Sequence, residues 1–84
     1  MATTRADIRR WLERGKKYGA THVIVMVDSY DHEDYPVYVL PNTKPLDELA
    51  RIQRETSMQR PMECYNLAFD WDMQLNEYRA NHWN

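Results

Sequence analysis

The chain has 84 residues, 43% of them hydrophobic, 29% charged and 12% aromatic, and a formal net charge of −2. That length holds one domain, residues 1–84, and the near-neutral charge favours neither nucleic acid nor a membrane surface as partner. A single cysteine, Cys64, excludes an intrachain disulfide and fits a reducing cytoplasm.

No apolar run reaches the roughly 18 residues a spanning helix needs. The start, Met1 to Arg5, lacks the apolar core of a signal peptide. Gly15 and Gly19 are the only glycines, too few for a Walker loop or a dinucleotide fingerprint.

In chain order, Thr4-x-x-Asp7 reads as a capping box opening a helix over about 4–18. Ile8, Trp11, Leu12 and Tyr18 form its apolar face, and Gly19 is its C-terminal stop. Its other face carries Arg9, Arg10, Arg14, Lys16 and Lys17. Residues 21–28 are a continuous β-branched run, which predicts a strand covered on both faces. Residues 35–40 form a second strand, antiparallel to the first. Pro36 places it at an edge or a strand start, because proline has no N–H for a ladder.

Asn42 or Thr43 is the expected cap of a second helix, with Pro45 in its first turn and a modest stripe of Leu46, Leu49 and Ile52. Ser57 to Arg60 shows no clear period. From Pro61, the spacing of Met62, Tyr65, Phe69, Met73 and Ala80 predicts a third helix over 61–82. Cys64, Leu67, Ala68, Trp71, Leu75 and Tyr78 give that helix a second apolar side. The fold class is therefore α+β: an N-terminal helix, a β-hairpin, then two helices (α-β-β-α-α). A two-faced helix beside a two-stranded hairpin predicts a homodimer or higher oligomer. Coverage of the second face by the first two helices is the monomeric alternative.

The chemistry concentrates in two places. Asp28, Asp31, Glu33 and Asp34 surround His32 in the hairpin loop. Their oxygens suit a hard cation, but no glycine supplies a calcium-loop turn, and a solvated turn is the simpler reading. A small metal-dependent hydrolase is the catalytic alternative that loop allows. The second place is the set of arginines lying among aromatic residues. Guanidinium forks bind phosphate and also stack on rings. Arg9, Arg10, Arg14, Trp11, Tyr30 and Arg54 are the candidate ligand contacts. No nucleophile elbow or paired catalytic set occurs, so no catalytic residue, metal ligand or cofactor is assigned.

Thr4 to Leu12, Thr21 to Val25, Asp31 to Val39, Met62-Glu63-x-Tyr65 and Gln74 to Glu77 together resemble a family of small bacteriophage and prophage proteins. The resemblance spans nearly the whole chain and brings no catalytic motif with it. It implies a counter-defence accessory protein in the host bacterial cytoplasm. Such a protein either traps a nucleotide immune signal, of cyclic-nucleotide or ADP-ribose type, or blocks a host defence protein.

Overall fold

The computed structural model describes residues 3–55 and 58–84. Met1, Ala2, Thr56 and Ser57 lie outside the described residues. The elements run α1 (Arg5–Lys17), β1 (His22–Asp28), β2 (Asp34–Val39), α2 (Pro45–Glu55), β3 (Gln59–Asn66) and α3 (Trp71–Asn76). The fold is α+β.

The first helix forms as its sequence predicts. Thr4 Oγ1 accepts from the Asp7 N–H at 3.1 Å, and Asp7 Oδ2 accepts from the Thr4 N–H at 3.0 Å. Gly19 ends the turn at φ 79°, a left-handed conformation that glycine enters without steric cost. The second helix starts one step later than its predicted cap. The Lys44 carbonyl accepts from the Glu48 N–H at 3.0 Å, so Lys44 holds the cap position and Pro45 the first turn. Asn42 and Thr43 lie in the preceding turn, with the Thr43 N–H on the Leu40 carbonyl.

The sheet has the order β2-β1-β3, antiparallel throughout. Six of the seven β1 residues are buried, as its apolar run requires. Pro36 sits on the edge strand β2, opposite Val25. The Asp28 N–H donates to the Glu33 carbonyl at 2.9 Å. Alternation along the ladder then turns the Pro36 nitrogen away from β1, where a missing donor costs nothing.

The stretch 61–82 corrects the predicted third helix. Its first residues complete β3, with a bulge opposite Val25 and Met26, and only 71–76 is helical. Asp70 caps α3 by accepting from the Met73 N–H at 3.1 Å. The order is therefore α-β-β-α-β-α. The physical reason is pairing: a central strand as buried as β1 needs a ladder on each edge, and β2 supplies only one. The two-faced helix that suggested self-association is thus absent.

Both sheet faces are covered by the chain's own helices. Ile8 and Leu12 of α1 pack with Val23, Val25 and Tyr65, joined by Leu75 and Ala80. On the other face Ile52 of α2 packs with Ile24, Met26, Val39 and Cys64. Gly15 lets α1 press against the sheet, since a Cβ there would lie 2.9 Å from Val23 Cγ2 and 3.2 Å from Tyr38 Cδ1.

Candidate functional site: the open flank of the first helix

At about 100° per residue, the cations of α1 sort into two flanks around the buried line of Ile8, Leu12 and Gly15. One flank faces β3 and α3, and its cations are engaged. Arg5 Nη1 donates to both Glu63 carboxylate oxygens at 3.0 Å and to Tyr65 Oη at 2.9 Å. Arg5 Nη2 donates to the Glu77 and Tyr78 carbonyls at 3.1 and 3.2 Å. Arg9 donates to Asp72 at 2.5 Å, and Lys16 Nζ sits 5.8 Å from the centre of the Trp71 ring. Glu63 also accepts from the Tyr65 hydroxyl at 3.0 Å and the Ala80 N–H at 2.9 Å, so every partner of this buried carboxylate is supplied by the fold. Burial, then the Glu63 charge, pushes the Tyr65 phenol well above its ordinary range.

The other flank faces the edge strand β2. Trp11 lies next to the core, then Tyr18, then Arg14, with Arg10 and Lys17 outermost. Tyr18 is 59% exposed and meets Tyr38 of β2 edge to face, ring centres 5.4 Å apart. Arg10, Glu13, Arg14, Lys17 and Tyr18 line a shallow depression of about 340 Å³. Among the described residues Arg10 pairs only with Asp7, one helical turn away. Among the described residues, Arg14 and Lys17 form no ion pair. The Tyr38 hydroxyl, beneath this flank, is buried without a hydrogen-bond partner among the described residues.

The predicted contact residues divide accordingly. Arg10, Arg14 and Trp11 share the open flank. Arg9 belongs to the engaged flank. Tyr30 stands 82% exposed in the hairpin loop, beyond the far end of β1 from the Gly15–Val23 contact. Arg54 is on α2, across the sheet. Lys17, Tyr18 and Tyr38 complete the patch. The spacing of Arg10, Arg14 and Lys17 (i, i+4, i+7) was a usable sequence signal for Lys17, whereas Tyr38 joins only through tertiary packing.

The acidic hairpin loop is a turn held by its own side chains. Asp28 accepts from the Tyr30 N–H at 2.8 Å and Asp31 from the Glu33 N–H at 3.1 Å, while His32 takes φ 59°. Among the described residues no three His, Cys, Asp or Glu side chains are grouped to hold a metal ion. Cys64 is fully buried, and burial pushes its thiol up to about 12, far from the thiolate a nucleophile requires.

Comparisons with protein-family models, characterised proteins and solved structures find no match for the chain. Among the described residues no helix is long and apolar enough to cross a membrane.

Proposed function

We propose that this chain is a non-catalytic binding protein that captures a phosphate-bearing small molecule of nucleotide type on the open flank of α1. In this reading it is a phage accessory protein that traps a nucleotide-derived immune signal in the host bacterial cytoplasm. One observation carries the reading: Arg14 and Lys17 form no ion pair with a carboxylate among the described residues and line one depression with the exposed Tyr18. Guanidinium and ammonium groups meet the phosphates, and an exposed ring supplies a stacking surface for the base. The depression is shallow for a tight site. A second copy set against the β2 side encloses the ligand, which links the proposal to a homodimer or higher oligomer.

Calorimetric titration with AMP, ADP, ADP-ribose and a cyclic dinucleotide tests the reading. Saturable heat with at least one of them, abolished in Arg14→Ala/Lys17→Ala, supports it. No heat with any of the four overturns it. Sedimentation with and without the bound nucleotide tests the enclosing partner copy.

A second reading, an inhibitor that blocks a host defence protein, draws on a different surface. Arg5, Met62, Tyr78 and Arg79 line a cleft of about 320 Å³, with Tyr78 almost wholly exposed at its rim. Tyr, Arg and Met are the side chains enriched where proteins dock. One stoichiometric host protein retained by the wild-type chain and lost on Tyr78→Ala/Arg79→Ala favours this reading.

A further inference from the structure

The segment 77–84 follows α3 and is neither helix nor extended strand. It lies along the outer edge of β3, opposite the edge that pairs with β1. Its backbone pairing is a single parallel bridge, Cys64 with Asn81. The Cys64 N–H donates to the Ala80 carbonyl at 3.1 Å, and the His82 N–H donates to the Cys64 carbonyl at 2.9 Å. The Glu77 N–H also donates to the Gln74 carbonyl of α3 at 3.2 Å, and among the described residues the other bonds that hold the segment to the sheet and α1 run through side chains. Arg5 holds the Glu77 and Tyr78 carbonyls, and Glu63 holds the Ala80 N–H. Asn66 Nδ2 donates to the Asn84 carbonyl at 2.9 Å, and His22 Nε2 lies 2.5 Å from the same oxygen. Ala80 reaches the core on the α1 side and Trp83 the core on the α2 side. Cys64 Sγ lies beneath, 3.4 Å from the His82 carbonyl.

We infer that residues 77–84 form a latch that lifts from the edge of β3 while the three-stranded sheet, α1 and α2 stay folded. A β1 residue is fixed by ladders on two sides, but the latch is fixed by one bridge, a set of side-chain bonds and the packing of two side chains, Ala80 and Trp83. Segments held in that way open at a lower free energy than the whole domain. Lifting bares the outer edge of β3 and the only thiol in the chain. It also separates Arg5 from the two carbonyls it clasps and Glu63 from the Ala80 amide. Arg5 is therefore the positioning residue that closes the latch, acting from α1 on a segment more than seventy residues away.

Labelling of Cys64 by a neutral thiol reagent tests this, with urea increased below the unfolding transition and circular dichroism recorded in parallel. The latch predicts labelling at least about tenfold faster than global unfolding permits, with little dependence on urea. Arg5→Ala raises the labelling rate further, while the wild-type result stands as a test should that variant not fold. Amide exchange supplies a second readout: the Cys64 and His82 amides exchange well before those of Val23 and Val25. Labelling that follows the urea dependence and free energy of global unfolding, with Cys64 and Val25 amides exchanging together, overturns the inference.

Discussion

The two flanks of α1 carry similar side chains and face different fates. Arg5, Arg9 and Lys16 turn toward β3 and α3, where Glu63, Asp72 and Trp71 meet them. Arg14 and Lys17 stand on the other flank, where they line a depression with Glu13 and Tyr18 and form no ion pair among the described residues. A basic helix read as one surface is thus two: one flank holds the molecule together and the other is available to a ligand. The difference arises from β3 and α3, which deliver acids to one side of α1 only.

The contrast breaks most visibly at Arg5. Arg5→Ala leaves the Glu63 carboxylate buried beside Tyr65 without its cation. Because Arg5 itself is half exposed, the cost is below that of a fully buried pair, about 2–3 kcal/mol, measurable by urea unfolding. Next comes the contact that seats the helix. Gly15→Leu drives a side chain into Val23, Tyr38 and Leu67 and costs about 2 kcal/mol, read from the same unfolding curves. On the open flank the effect on stability nearly vanishes. Arg14→Ala and Lys17→Ala each change it by less than about 0.5 kcal/mol, while together they remove nucleotide binding. The smallest effect belongs to the capping box. Its hydrogen bonds with the Thr4 backbone and side chain hold the Asp7 carboxyl below its ordinary 3.8. A lowered folded-state pKa gives stability that is present above pH 3.8 and is lost as pH falls through the folded value. Asp7→Asn should therefore be less sensitive to acid than wild type over that window, as followed by helical circular dichroism.

Local signals made the first half of the molecule legible in the sequence. The Thr4–Asp7 box, Gly19, the run from Val23 to Val27 and Pro36 each act within a few residues, and each element formed where those signals stand. Residues 61–82 failed for a non-local reason. Met62, Tyr65, Phe69 and Met73 recur at near-helical spacing, but β1 needed a second ladder, and only this stretch remained to supply it. Buried only from Glu63 to Asn66, with polar Glu63 and Asn66 among those four, β3 shows no alternation to mark it as a strand. Asp70 is a good cap for the short α3, a local signal that splits the supposed helix. The candidate site was legible in part for the same reason. Arg10, Arg14 and Trp11 share a flank through helical spacing, whereas the engagement of Arg9 by Asp72 and the remoteness of Arg54 depend on which sheet face each helix covers.

The division of α1 into an engaged and an open flank is tested most directly by amide chemical shifts as ADP-ribose is added. The account predicts saturable shifts at Arg10, Arg14, Lys17, Tyr18 and Tyr38, and none at Arg5, Arg9, Glu63 or Asp72. Shifts centred on Arg5, Glu63 and Arg79, or no shifts at any nucleotide concentration, would contradict it.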